Sequence, residues 1–168
     1  MLDLIGGNLC SLLAMITDSV SSTRKTARGV LLLQTVSQLF FITGTIFLRG
    51  YSAAVQNAMS IVRNLSAATG RSRPWLEWLL IVLGVVLGVA FNNLGVPGLL
   101  PVIANLEYSL AVLRFKTDER ALKTAFLINV ILFTFFNGFI CNIVGVLANA
   151  FVGVTTAAYL WRSRPQRG

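Results

Sequence analysis

The chain has 168 residues, of which 55% are hydrophobic and 12% are charged, and its mean hydropathy is +0.75. So little polar surface cannot cover a water-soluble globule, which excludes an ordinary soluble domain and predicts a protein surrounded by lipid. The formal net charge of +8 comes from lysines and arginines that stand almost wholly between hydrophobic runs. That distribution is typical of topology signals rather than of nucleic-acid binding.

The sequence contains two cysteines and no histidine, and this limits the chemistry. Cys10 and Cys141 show no pairing or ligand pattern, so metal sites of the Cys/His kind and histidine-dependent triads are excluded. We interpret both thiols as small apolar side chains packed within the fold.

The hydrophobic runs predict helices, because a backbone exposed to lipid must satisfy its own hydrogen bonds and the alternation of a strand is missing. Several runs are shorter than the ~20 residues of a typical membrane helix. The predicted spans, in chain order, are Leu2 to Thr17, Val30 to Leu48, Tyr51 to Leu65, Trp75 to Phe91, Val96 to Phe115, Ala121 to Phe139 and Cys141 to Trp161.

The third span is the least regular, because Gln56, Asn57 and Arg63 interrupt it. The alternative is therefore a six-helix protein in which this segment lies in the membrane interface. Seven spans place thirteen of the fourteen basic residues on or near one side and leave Arg49 alone opposite, whereas six spans separate three of them from eleven. Basic residues concentrate on the cytoplasmic side. Seven spans are favoured, with the N-terminus outside and the C-terminus in the cytoplasm.

The two halves of the chain resemble each other. An offset of 97 residues matches Asn8 with Asn105, and an offset of 95 matches Gln34 with Asn129, although apolar helices can also match by chance. Two helix triplets have the same orientation only when one further helix joins them, so we predict a 3+1+3 arrangement of parallel repeats about an axis along the membrane normal. The predicted parts are a first repeat at 1–70, a linker helix at 71–95, a second repeat at 96–161 and a basic tail at 162–168.

Two stretches carry a resemblance to a known family. The sequence RGYSAAVQNAMSIVRNL, Arg49 to Leu65, resembles a signature of the YgjV family of bacterial inner membrane proteins, and FFNGFICNIVGVLANAF, Phe135 to Phe151, is similar to a second segment of that family. Asn149 departs from the family pattern, which allows an acidic residue near it. The layout also resembles that of the PQ-loop and SWEET proteins, which include sugar and amino-acid carriers. The Pro-Gln pair of this chain, however, belongs to its basic tail.

One acidic residue, Glu107, lies near the middle of the fifth span. An ionised side chain costs roughly 3 kcal/mol at the centre of a bilayer, so such residues usually face a cavity or a partner. Glu107 is therefore a candidate for binding a proton or a cation during transport. The alternative is a structural role in which Arg63 or nearby amides hold it.

Two asparagines form a second candidate site. In the assumed register Asn149 aligns with Ala54, one helical turn from Asn57, so the two amides could face each other across the repeat axis. Amides both donate and accept hydrogen bonds, which suits a neutral polar ligand, and Gln56 is counted with the same substrate-binding site. The alternative is that these amides only join helices, at ~0.6 kcal/mol per bond.

Three residues are candidates for bends that a transport cycle would use. Pro101 lies in the fifth span, and Gly6 and Gly7 lie in the first. Proline and glycine permit a helix to bend or break, so we predict that these residues take part in gating.

Together these observations predict an all-α integral membrane protein of the bacterial inner (cytoplasmic) membrane. Its predicted function is to carry a small polar solute by alternating access between the two helix triplets. Paired groups for catalysis are missing, so we expect no enzyme, no cofactor and no metal. The expected partners are the lipid bilayer and the solute, a homodimer is left open, and nucleic acid is not expected.

Two alternatives to this carrier remain. A membrane scaffold or receptor that moves no solute would have a fully packed centre. A proton-coupled exporter of cationic compounds would depend on Glu107.

Overall fold

The computed structural model describes residues 1–22, 26–70, 73–115 and 118–162. Seven helices and no strand are found in these ranges. The helices, in chain order, are α1 (Leu2–Ser22), α2 (Ala27–Phe47), α3 (Tyr51–Ala68), α4 (Pro74–Ala90), α5 (Val96–Arg114), α6 (Glu119–Phe139) and α7 (Ile143–Arg162).

The seven helices confirm the seven predicted spans. Every helix end lies within three residues of its predicted position, apart from the end of α1, which extends from the predicted Thr17 to Ser22. In the described part of the chain α5, α6 and α7 are long and apolar enough to cross a membrane, and α2 and α4 contain shorter apolar stretches. The third span forms one continuous helix that packs against α2, α4 and α5. It therefore lies within the bundle, which argues against the six-helix alternative.

Six of the helices form a ring. Within each triplet, consecutive helices pack side by side, α1 on α2 on α3 and α5 on α6 on α7. The triplets meet at two seams, where α3 contacts α5 and α7 contacts α1. The fourth helix lies outside the ring and contacts α3 and α5. These pairings are what a two-fold axis through the centre of the ring would produce, although the division into two repeats and a linker stays a prediction.

The two ends of the ring differ. The α2–α3, α4–α5 and α6–α7 connections meet at one end, the turn end, where Asn93 donates to the carbonyl oxygen of Arg49 and Asn8 donates to that of Cys141. The other end, the basic end, carries seven of the eight basic residues that the structure describes. The basic residues described there are Arg28, Arg63, Arg73, Arg114, Arg120, Lys123 and Arg162. Six further basic residues of the chain lie outside the described residues: Arg24, Lys25, Arg71, Lys116, Arg164 and Arg167.

The second and third helices of the two triplets share one register. Helix α2 covers Ala27–Phe47 and α6 covers Glu119–Phe139, so both of their ends differ by 92 residues. Helices α3 and α7 begin at Tyr51 and Ile143, which again differ by 92 residues. The offset of 95 taken from the sequence for α2 and α6 is therefore wrong. The offset of 97 taken for α1 and α5 also differs from the structure, where these helices begin 94 residues apart, at Leu2 and Val96. Both offsets rested on a few identities between apolar helices, which match easily in more than one register.

Backbone details follow the same register. Arg49 and Cys141, 92 residues apart, lie in equivalent turns, and both have a φ of 57°, in the left-handed region that non-glycine residues rarely adopt. The N-cap residues of α2 and α6, Thr26 and Asp118, each accept a hydrogen bond from the backbone N–H three residues further on. The triplets thus repeat in conformation even where their side chains differ.

The distribution of side chains is that of a protein in lipid. Ser11, Ser37 and Asn142 are at most 1% exposed, whereas Phe151 and Val154 are 72% and 70% exposed. Water as the solvent would favour the reverse arrangement. The outer surface of the ring is therefore suited to hydrocarbon, and the polar groups face inward, where other helices can satisfy them.

Candidate functional site

A cavity of about 560 Å³ lies at the centre of the ring. Side chains from all six ring helices line it. On α3 the lining runs from Ala53 to Asn64, which is about 17 Å along a helix that rises about 1.5 Å per residue. Small-molecule sites commonly have volumes of about 300–1,000 Å³. The cavity can therefore hold a small solute deep inside the ring.

Amides dominate the polar lining of this central cavity. They are Gln34, Gln38, Asn57, Asn64, Asn105, Asn129, Asn137 and Asn149. Asn105 donates to Gln56, Asn129 donates to the carbonyl oxygen of Ala104, and Asn137 accepts from Asn142. The other five form no side-chain hydrogen bond to any residue that the structure describes. Each of these amides can offer donors and an acceptor to a ligand.

The structure brings Asn57 and Asn149 together in this cavity. They are 92 residues apart, so they occupy equivalent positions on α3 and α7. The sequence had placed Asn149 opposite Ala54 instead, in the wrong register. The corrected register relates the two asparagines directly by the two-fold arrangement of the ring. A ligand at the centre would meet one amide from each triplet.

Two charged side chains also line the cavity, Asp18 from α1 and Arg63 from α3. Neither was predicted from the sequence as a binding residue. Asp18 was placed one residue beyond a span predicted to end at Thr17, but α1 continues to Ser22 and carries Asp18 into the ring. Asp18 is the main functional candidate that the sequence did not reveal.

The turn end of the cavity is closed by apolar packing. Leu48, Ala53, Phe136 and Ile140 form a buried cluster there. Phe136 is 1% exposed and lies so close to the backbone of Gly50 that a Cβ there would be 2.9 Å from its Cζ. A side chain at Gly50 would therefore displace Phe136 from the buried cluster that closes this end.

Asparagine side chains form hydrogen bonds at or beside both seams at the turn end. At the α1–α7 seam, the Nδ2 of Asn8 lies 3.1 Å from the carbonyl oxygen of Cys141, and its Oδ1 accepts from the backbone N–H of Val144. Beside the α3–α5 seam, the Nδ2 of Asn93 lies 2.8 Å from the carbonyl oxygen of Arg49. The acceptors are thus the carbonyl oxygens of Cys141 and Arg49, the two equivalent residues with a left-handed backbone. These contacts hold the triplets together at the turn end.

Gln56 does not line the central cavity. It is 3% exposed, its Nε2 donates to the carbonyl oxygen of Gly84 at 2.8 Å, and its Oε1 accepts from Asn105 at 3.1 Å. One amide therefore joins α3 to both α4 and α5. The structure places this residue, predicted to bind substrate, in a helix-joining role beside a smaller pocket between these helices.

Glu107 also lies outside the central cavity. It lines a separate pocket between α5 and α6, with Ala111, Phe115 and Asp118 among its neighbours. Its Oε2 is buried and has no hydrogen-bond partner among the described residues. Asn105 and Tyr108, on the adjacent face of α5, line the central cavity in its place. Neither Arg63 nor an amide holds Glu107 within the described chain.

The three predicted bend residues lie in packed helices. Pro101 is fully buried within α5, which continues unbroken past it. A Cβ at Gly7 would collide with the side chain of Leu48 and lie 3.0 Å from the carbonyl oxygen of Gly44, so α1 and α2 cross closely there. Gly6 has room for a Cβ, 3.7 Å from Phe47. Gly7 thus serves close packing in this conformation, and a part in gating stays a prediction for all three.

The chemistry of the central cavity is that of recognition. No cluster of three or more acidic, cysteine or histidine side chains that could hold a metal occurs in the described residues. Amides, the hydroxyl side chains of Thr45 and Ser60, one carboxylate and one guanidinium face a volume whose other walls are aromatic and aliphatic. Such a lining can orient a small polar molecule by hydrogen bonds while the apolar walls exclude bulk water.

Comparison with known proteins identifies a family. The family model Imp-YgjV, described as a bacterial inner membrane protein, matches residues 5–167. No curated protein and no solved structure matches the chain. The architectural likeness to PQ-loop and SWEET proteins accordingly stays a prediction.

Proposed function

The chain belongs to the Imp-YgjV family of bacterial inner membrane proteins, and we propose that it carries a small polar solute across the inner membrane. One observation supports this most directly: a cavity of about 560 Å³, lined by eight amides, lies between two helix triplets. Binding sites at the interface of parallel repeats are common in carriers.

The proposed mechanism is alternating access. In this conformation the Phe136 cluster and the Asn8 and Asn93 contacts close the turn end, while the cavity extends to Asp18 and Arg63 near the basic end. Rocking of α1–α3 against α5–α7 would part the turn end and close the basic end. The positive-inside tendency assigns the basic end to the cytoplasm, so this conformation is closed toward the outside.

Each of the two alternatives meets a separate counter-argument. A scaffold or receptor that moves no solute called for a packed centre, and the cavity argues against it. An exporter centred on Glu107 called for an acid in the transport path, and Glu107 lies outside the central cavity. Neither alternative gains support from a contact in the described chain.

Solute exchange in reconstituted vesicles tests the proposal. Purified protein in liposomes would be given labelled sugars, polyols and amino acids, one at a time, and we expect saturable uptake of at least one that unlabelled solute accelerates from the opposite side. Protein-free liposomes and the Asn57→Ala/Asn149→Ala double variant are the controls. Uptake that never exceeds the protein-free rate for any class would contradict a carrier.

A further inference from the structure

The two charged residues of the central cavity each lie about one helical turn from the basic end of their helix. Asp18 is four residues from the end of α1, and Arg63 is five residues from the end of α3. Helix α2 stands between α1 and α3, so the two side chains reach the cavity from opposite sides of α2. The guanidinium of Arg63 contacts the Oγ of Ser60 at 3.5 Å, and no ion pair joins it to Asp18 in the described chain. Arg63 also lines the smaller pocket beside α4, where the carboxylate of Glu77 interacts with it electrostatically. Asp18 and Arg63 thus share the central cavity without forming an ion pair with each other.

Unsatisfied acceptors mark the Asp18 side. The Oδ1 of Asp18 and the Oε1 of Gln38 are both buried and have no hydrogen-bond partner among the residues described. Both side chains line the central cavity. A buried acceptor without a partner is unfavourable, so these oxygens call for a group that donates several hydrogen bonds. An ammonium group supplies three donors and the opposite charge.

Arg63 provides the complementary group. A guanidinium offers parallel N–H donors that match the two oxygens of a carboxylate. A ligand with a single charge would be attracted by one of the two side chains and repelled by the other. A ligand that carries both an ammonium and a carboxylate would be attracted by both. The pair therefore favours a zwitterion over a cation, an anion or an uncharged polyol.

The charged groups belong to the first triplet alone. At the spacing of 92 residues that relates α3 to α7, the equivalent of Arg63 is Thr155. On α5, which begins 94 residues after α1, no charged side chain lines the cavity in the described chain. The second triplet instead turns aromatic rings toward the cavity, among them Tyr108 and Phe126, whose centroids are 5.9 Å apart. The site is thus charged on one side, whereas the other side is uncharged and combines aromatic rings with amides.

We propose that the solute is a zwitterionic amino acid with an uncharged side chain. Its ammonium group contacts Asp18 and Gln38, its carboxylate contacts Arg63, and its side chain lies against the wall that contains Tyr108 and Phe126. This inference rests on the proposed carrier function and adds the class of solute to it.

Binding to the purified, full-length protein tests the inference. Thermal stabilisation would be measured with each L-amino acid that has an uncharged side chain. The best of these would then be compared with the amine that lacks its carboxylate and with the acid that lacks its ammonium group. We expect stabilisation by at least one amino acid and affinities at least about tenfold weaker for both matched analogues. The inference is overturned if no amino acid stabilises the protein, or if either analogue binds as tightly as the amino acid.

Variants and flux separate this inference from the carrier proposal. Asp18→Asn and Arg63→Gln should each weaken amino-acid binding about tenfold or more, whereas Glu107→Gln, which changes an acid outside the cavity, should leave it unchanged. Amino-acid binding without uptake into vesicles would refute the carrier and keep the site. Saturable uptake of a sugar, with no binding of any amino acid, would refute the zwitterion and keep the carrier.

Discussion

Asn57 and Asn149 occupy the same position in two helices whose first residues are 92 residues apart, and both line the central cavity. Neither amide forms a hydrogen bond to another residue in the described chain, so each is available to a ligand. The pair therefore makes a direct test of transport, because its removal should change binding without loosening the helices.

We expect Asn57→Ala and Asn149→Ala each to lower the rate of solute uptake, and the double variant to lower it by about tenfold or more, since each lost hydrogen bond contributes about 1 kcal/mol. The midpoint of thermal unfolding without solute should stay at the wild-type value, because no helix contact is removed. Vesicle uptake and melting curves in detergent are the measurements. Normal uptake by the double variant would remove these two residues from the site.

Gln56, one residue away, should behave in the opposite way. Gln56→Ala removes the hydrogen bonds to Gly84 and Asn105 that join three helices. Leaving buried polar groups without partners costs about 1–3 kcal/mol each, so the free energy of unfolding should fall by about that amount. Equilibrium unfolding in mixed micelles, compared with Asn57→Ala, measures the difference. Equal stability of the two variants would show that the contacts of Gln56 contribute little.

The glycines of α4 offer a matched pair. A Cβ at Gly88 would collide with the Nε2 of Gln56 and lie 2.7 Å from Val102, whereas a Cβ at Gly84 would lie 3.4 Å from the nearest atom of Gln56. Gly88→Ala should therefore destabilise the protein by about 1–3 kcal/mol through overpacking. Gly84→Ala should be close to neutral. The melting temperatures of the two variants decide the point, and the reverse order would mean that α4 packs differently.

The asparagines at the turn end should control access to the cavity. Asn8→Ala and Asn93→Ala each remove a contact that crosses or flanks a seam. In a background without Cys10 and Cys141, we expect an Asn149→Cys thiol to react faster with a membrane-impermeant maleimide added from the outside when either asparagine is replaced. Thr43→Ala, an exposed position on α2, is the control. Unchanged labelling would mean that apolar packing alone closes this end.

Substitution of Glu107 distinguishes the proposed carrier from the alternative, a proton-coupled exporter of cations. Because this side chain lines a pocket outside the ring cavity, Glu107→Gln should leave the uptake rate within about twofold of the wild-type rate. Uptake is measured in vesicles with and without an imposed pH gradient. A complete loss of gradient-driven uptake would restore Glu107 as a proton-coupling group.

The sequence predicted the helices well, because long apolar runs and the basic residues between them leave few alternatives in a bilayer. It predicted less well which side chains point into the cavity. Adjacent residues on a helix point about 100° apart, so Asn57 lines the cavity while Gln56 joins helices. On α5 the same geometry turns Asn105 and Tyr108 inward and Glu107 away.

The candidate site was incomplete for a further reason. Asp18 reaches the cavity only because α1 continues beyond the apolar run by which its span was recognised. Hydrophobicity detects the part of a helix that lipid requires, whereas a charged turn that faces a cavity lowers the local average and resembles the end of the span. The repeat register was missed because conformation, rather than residue identity, is what the two triplets share.

Because α4 packs over one seam only, the two seams differ in how firmly they are held together. This helix packs along α3 and α5 and is tied to them through Gln56, whereas no helix covers the α1–α7 junction in the described chain. A relative rotation of the triplets would then pivot about the covered junction and part at the uncovered one. Solute would enter through a one-sided cleft next to α1 and α7, where replacement of Asn8 should widen the opening more than replacement of Asn93.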